Sequence, residues 1–136
     1  MFPTPHLSRL ARSAAIACTL ALSATALGAT TLSLSLNARN ADEARVLSTA
    51  ITLYAIHRDI RSGADIRQVG RNHLVQLTQS GSGNQGIIRQ RGRDHDASLT
   101  QRGGHNAQVI LQYGQGARAD IRQTGGQAGI LIQIAP

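Results

Sequence analysis

Aromatic residues are almost missing from this chain: Phe2, Tyr54 and Tyr113 are the whole set, 2% of 136 residues, and tryptophan is absent. A conventional globule draws core area from such side chains, each able to bury roughly 150–250 Å². This chain must be held together in another way. Lysine is absent too: all 14 basic residues are arginine, against 7 acids, for a net charge of +7. Cysteine occurs once, as Cys18, inside an apolar run near the N-terminus. If that run is removed, no disulfide, thiol catalysis or thiolate metal site remains. What the chain has in quantity is 14 glycines and 12 glutamines. That bias points to a repetitive design.

Residues 1–28 read as a secretory signal peptide. Arg9 and Arg12 precede the small, apolar stretch Ser13 to Gly28, and Ala24-Thr25-Ala26 or Ala26-Leu27-Gly28 offers a cleavage site. The run is shorter than the ~20 apolar residues of a spanning helix. A lipoprotein would want a leucine-like residue three positions before Cys18, where Ala15 stands. A mature chain from about Ala29 keeps 12 arginines against 7 acids, a net +5.

The glutamines are periodic. Gln68, Gln79, Gln90, Gln101, Gln112 and Gln123 stand 11 residues apart. Two positions after each comes a glycine: Gly70, Gly81, Gly92, Gly103, Gly114 and Gly125. Two positions before each is a branched aliphatic: Ile66, Leu77, Ile88, Leu99, Ile110 and Ile121. Three residue classes in register over six periods mark an internal repeat, and the repeat decides the architecture.

Between the glycines the pattern alternates with period two, the signature of strands. One face reads Ser62/Ala64/Ile66/Gln68, His73/Val75/Leu77/Gln79, Asn84/Gly86/Ile88/Gln90, His95/Ala97/Leu99/Gln101 and Ala117/Ala119/Ile121/Gln123. The other carries Asp65, Arg67, Gln76, Thr78, Arg89, Ser98, Thr100, Asp120 and Arg122, and belongs in water. Strands of about seven residues alternate with turns of about four, such as Val69 to Asn72 and Ser80 to Gly83. Glycine supplies the φ > 0 geometry of a tight reversal. A flat meander would need a further layer over its buried face, and the sequence offers none. The expected fold is therefore an all-β β-solenoid: two facing parallel rows of short strands in strand-turn-strand repeats of about 22 residues. Strands in each row stack about 4.8 Å apart, which aligns identical residues as ladders. One row aligns Gln68, Gln90 and Gln112; the other aligns Gln79, Gln101 and Gln123. A buried glutamine without a partner would cost about 1–3 kcal/mol. Stacked on its like, it stabilises a cross-β, amyloid-forming arrangement.

This repeat resembles that of the curlin family, Ser-x5-Gln-x4-Asn-x5-Gln. Gln79-x4-Asn84-x5-Gln90 and Gln101-x4-Asn106-x5-Gln112 fit the spacing, Ser62-x5-Gln68 supplies the opening half, and the likeness spans 62–133. The resemblance implies a subunit of an extracellular fibre, a fimbrium of adhesion and biofilm, on a Gram-negative bacterium. Its partners would be other curlin subunits and outer-membrane secretion and assembly factors, with no cofactor and no small-molecule substrate. The sequence also departs from the pattern. His73 and His95 stand at the serine position, followed by Ala117, and Gln108 stands where a small residue is expected. The last turn is one residue short, so Gln127, Gly129, Leu131 and Gln133 continue the inward series and Ala128, Ile130 and Ile132 face outward. The basic, arginine-rich composition resembles the minor, nucleating subunit more than the acidic or near-neutral major one.

The segment 29–61 lacks the glutamine period. Asn40-Ala41-Asp42-Glu43 reads as a helix N-cap with a capping box, and Ala44, Leu47, Ile51 and Tyr54 suit a short helix. A degenerate strand over 51–57 is the alternative, favoured because His57 lies 11 residues before Gln68. Ala29 to Asn40 reads as extended or mobile, and as a candidate export-targeting piece. Only Pro136 resembles a cap after Gln123.

His73 and His95 would stack in one ladder, as neutral stand-ins for serine or as a pH-sensitive pair whose charging slows assembly below pH about 6.5. Arg67, Arg89, Arg91, Arg93 and Arg102 form basic patches suited to incidental binding of DNA or acidic polysaccharide. Without interleaved aromatics, nucleic-acid recognition is not the main role. Asp94-His95-Asp96 looks like a metal or acid–base cluster, but adjacent strand positions point to opposite faces. No catalytic, metal or cofactor site is expected. The contrasting reading is a monomeric secreted β-solenoid that binds ice or polysaccharide. It would want an unbroken outer row of threonines, and Thr78 and Thr100 are followed by Arg122.

Overall fold

The computed structural model describes residues 31–57 and 63–136. The signal peptide expected over 1–28 and the repeat position Ser62 lie outside the described residues. In chain order the elements are β1 (Leu32–Asn37), α1 (Ala41–His57), β2 (Ala64–Arg71), β3 (Leu74–Ser80), β4 (Gln85–Arg93), β5 (Asp96–Arg102), β6 (Ala107–Gln115), β7 (Arg118–Thr124) and β8 (Ala128–Ala135). One sheet has the order β1-β8-β6-β4-β2 and the other β3-β5-β7. From β2 onward successive strands alternate between the sheets, and within each sheet they pair in parallel. The fold is an all-β solenoid of three full turns, β2–β3, β4–β5 and β6–β7, with β8 opening a fourth.

Identical positions stack because each turn advances by 22 residues, and the last by 21. Gln68, Gln90 and Gln112 are register partners in one sheet, continued by Gln133; Gln79, Gln101 and Gln123 are partners in the other. The inter-sheet core is one aliphatic layer thick: Ile88, Ala97, Leu99 and Ile110 are buried, with Val75, Leu77, Ala119 and Ile121 packed around them. Each fully buried Leu or Ile contributes about 1.5–3 kcal/mol.

The corners are tighter than four-residue turns where the chain leaves the first sheet. β2 and β4 run on through Gly70-Arg71 and Gly92-Arg93, and the reversal falls on Asn72 and Asp94, with φ of 57° and 59°. Gly92 is held there twice over. Its φ is +128°, and a Cβ would overlap the carbonyl oxygen of Gly114 one turn on.

The segment before the repeats differs from the expected degenerate strand. Residues 51–57 belong to α1, a 17-residue helix. Glu43 N donates to Asn40 Oδ1 at 2.9 Å, and Glu43 Oε2 accepts from Arg39 N at 2.9 Å, a capping box that reaches one residue further back than usual. Ala44, Ile51 and Ala55 share one helix face and are buried, whereas strand alternation would have paired Ile51 with the exposed Leu53. Helical periodicity buries the apolar stripe, and that outweighs the distance to Gln68. Residues 32–37 are extended and are fixed as β1, antiparallel to β8.

A covering layer therefore does exist. The outer face of the first sheet is not wholly in water: Ile87, Val109 and Ile130 stack in register, and α1 packs over them with Ala44, Leu47, Ile51 and Tyr54. The outward apolar face of β8 is part of this second core. The outer edge of β8 is also covered, by β1, which comes from earlier in the chain.

Candidate assembly site

The glutamine ladders join the coil along its axis and across it. In the first row Gln68 Nε2 donates to Gln90 Oε1 (2.9 Å), Gln90 to Gln112 (2.8 Å) and Gln112 to Gln133 (2.8 Å). In the second, Gln79 donates to Gln101 (2.8 Å) and Gln101 to Gln123 (2.9 Å). Carboxamides of both rows also donate to a backbone carbonyl of the facing row. Gln90 bonds Leu74 O, Gln112 bonds Asp96 O, Gln133 bonds Arg118 O, Gln79 bonds Gly63 O and Gln101 bonds Gln85 O, at 2.8–3.1 Å. A carboxamide has two donors on one nitrogen, and Gln79, Gln90, Gln101 and Gln112 use both. Glutamine is thus a fastener between the sheets as well as between turns.

The corner ladders follow one rule with two residue types. Asn106 Nδ2 donates to Arg102 O four residues back at 2.8 Å, and its Oδ1 accepts Gln127 N at 3.0 Å; Asn84 likewise bonds Ser80 O and accepts Asn106 N. At the opposite corner His95 Nε2 lies 3.1 Å from Arg91 O, and its Nδ1 accepts Ala117 N at 3.1 Å. Those contacts require the neutral ring with its proton on Nε2. His73 repeats the contact, to Val69 O at 3.1 Å, while its Nδ1 is buried and has no partner among the described residues. The two rings stack at 5.2 Å between centroids, 4° from parallel.

The turn glycines Gly70, Gly81, Gly92, Gly103, Gly114 and Gly125 all have positive φ. Gln127 keeps register with Asn106 but turns its side chain outward, where Oε1 accepts Thr124 N at 2.7 Å. Periodicity gave no hint of the role of Gln108. Its Oε1 accepts from Gln123 at 3.0 Å and closes the second ladder from inside. The only advance signal was its size at a small-residue position.

Of the arginines, Arg67, Arg71, Arg91 and Arg93 are exposed on the outer side of β2 and β4. Arg89 is drawn in: it pairs with Asp65 at 3.3 Å and lies 5.8 Å from the Tyr54 ring centre. In Asp94-His95-Asp96 the imidazole is buried and Asp94 is exposed, held by Asn72 Nδ2 at 3.2 Å. Among the described residues, no group of three or more His, Cys, Asp or Glu could hold a metal ion.

The two ends of the coil are strand edges, which template further strands unless covered. β2 and β3 form one end, where the nominally inward Ile66 is 46% exposed. β7 and the β1-covered edge of β8 form the other.

Comparison with known proteins bears on the repeat. The family model described as Curlin associated repeat matches residues 70–103 and 96–125. No curated protein and no solved structure matches the chain. The two matched stretches run from the first corner glycine to the last, so that what the comparison supports is a repeat of the curlin type, the repeat of fibre-forming subunits, carried here on the stacked turns of the coil.

Proposed function

We propose that this chain is a structural subunit of an extracellular, curli-type amyloid fibre, and that it is the minor subunit that starts assembly. Residues 1–28 direct export, outer-membrane secretion and assembly factors pass the chain to the surface of a Gram-negative bacterium, and the fibre serves adhesion and the biofilm matrix. The observation that carries this reading is the stacking of identical side chains. Successive turns present the same glutamine donors and acceptors to one another, and Gln133 and Gln68 offer a donor and an acceptor through which a second coil can continue the first ladder.

The minor role is supported by charge. A net +5 in the mature chain, with every basic residue an arginine, suits a partner of opposite sign, and Arg67 and Arg71 stand on the outer side of the first turn. The major-subunit reading lacks that support. The same arginine face gives incidental attraction to DNA or acidic polysaccharide, in proportion to charge and weakened by salt.

A monomeric solenoid module is the second reading, favoured by β1, which covers the β8 edge at one end. Seeding separates the two. Sonicated aggregates of this chain shorten the lag of an acidic curlin-type subunit if it nucleates fibres. A chain that remains a monomer, and leaves that lag unchanged, is a module.

A further inference from the structure

The two ends of the coil are not alike. At the first turn Ile66, Val69 and Leu74 are 46%, 49% and 61% exposed. Among the described residues, no donor reaches the Oε1 atoms of Gln68 or Gln79, so both ladders begin with an open acceptor.

At the last turn the chain closes upon itself. β1 lies antiparallel along the outer edge of β8, with Leu34 opposite Ile132, Leu36 opposite Ile130 and Asn37 opposite Gly129. Ala38 N extends the contact to Ala128 O at 3.0 Å. Gln108 ends the second ladder: Gln123 Nε2 donates to it at 3.0 Å and to Ala107 O at 3.2 Å, which uses both of its N–H groups. Gly129 leaves the room, since a Cβ there would meet Gln108 Oε1 at 2.5 Å and Asn37 Oδ1 at 2.7 Å.

β1 differs from the strand that a further turn would supply. Every other pairing in the coil is parallel, and this one is antiparallel. Its residues opposite the ladder series are Ser33, Ser35 and Asn37, which bring no glutamine to Gln133. The inward series of β2 is Ala64, Ile66 and Gln68, which would match Gly129, Leu131 and Gln133 in the manner of the turns below. Gln133 Nε2 donates to Arg118 O and, among the described residues, to nothing else, so one N–H remains for the open Oε1 of a Gln68. β1 is also lightly held. None of its residues is fully buried, and an open apolar cleft of about 140 Å³, lined by Leu36, Val46, Leu47 and Ala50, separates it from α1.

We propose that β1 is a releasable cap, and that the β8 edge beneath it is the docking edge for β2 of a second copy of this chain. Head-to-tail growth begins when β1 leaves that edge. While β1 stays in place, the chain accepts another coil only on its β2–β3 end. This inference rests on the fibre-subunit reading above.

The test is a lock that can be opened. Leu32 and Ile134 face each other across the β1–β8 pair and are 44% and 50% exposed. Leu32→Cys with Ile134→Cys in the mature chain, which carries no other cysteine after Cys18, ties β1 to β8 when oxidised and frees it when reduced. Leu34→Asp is the companion variant, placing a carboxylate in the half-buried seam with Ile132. Fibre growth is followed by thioflavin fluorescence and sedimentation, and folding by circular dichroism. The oxidised form should stay unpolymerised for at least about ten times the lag of its reduced form, and Leu34→Asp should shorten the wild-type lag about tenfold, as the docking-competent fraction rises. Equal growth of oxidised and reduced forms overturns the cap and leaves the fibre reading standing. Failure of every form to make fibres, with the coil folded, overturns both.

Discussion

The carboxamide of Gln101 donates to Gln123 Oε1 at 2.9 Å, and its second N–H reaches Gln85 O at 2.9 Å, so one buried side chain ties its own row to the next turn and to the facing row. Its Oε1 also accepts from Gln79 at 2.8 Å. A ladder position therefore carries three bonds, and their loss is felt on both neighbours.

Gln101→Ala leaves the Gln79 donor, the Gln123 acceptor and the Gln85 carbonyl without this partner, and opens a cavity. The expected cost is about 2–5 kcal/mol. Gln68→Ala, at the exposed first turn, removes one bond to Gln90 and should cost about 0.5–1.5 kcal/mol. Urea unfolding of the monomer measures both, and equal effects at the two positions would contradict the ladder account.

Gly92 and Gly116 separate backbone strain from stacking. Gly116→Ala meets only the penalty of a positive φ (+74°), since nothing lies within 4 Å of its Cβ position, and should cost about 1 kcal/mol. Gly92→Ala must also push away the Gly114 carbonyl. Its cost should exceed that of Gly116→Ala by about 1–3 kcal/mol. Thermal melts of the two variants provide the comparison.

At the histidine corner, His95 accepts Ala117 N at Nδ1 while Nε2 bonds Arg91 O. Asparagine makes the same two contacts at position 106, so His95→Asn should be tolerated, and His95→Ala should cost about 1–3 kcal/mol. Thermal melts at a single pH compare the two variants, and equal costs would contradict the corner account.

The helix is testable through Ile51, buried against the outer stripe of the first sheet. Ile51→Ala should cost about 2–4 kcal/mol, whereas the exposed Leu53→Ala should cost under about 0.5 kcal/mol. Hydrogen exchange would show protection lost across α1 in the first variant alone.

The coil was legible in the sequence because its determinants recur at a fixed spacing of 11 residues. Gln79 predicts Gln101, and Gly81 predicts Gly103, without any knowledge of distant contacts. β1 and α1 were not legible in that way. Their places depend on long-range partners: α1 needs the outward series Ile87, Val109 and Ile130, and β1 needs the edge of β8. That outward series was a signal in its own right, three aliphatics in register where the same face of β2 begins with Asp65. The strand expected over 51–57 extended a period beyond its range, where an apolar helix face was the stronger pattern. Gln108 stood out only by its size, and what it terminates depends on Gln123, which lies 15 residues further along the chain.

The central claim is that stacked turns of this chain continue from one molecule to the next. Fibre diffraction from the purified mature chain tests it most directly. The account predicts a reflection at about 4.8 Å along the fibre axis and one near 10 Å across it. A folded chain that stays monomeric for days, with neither reflection from its dried samples, would contradict it.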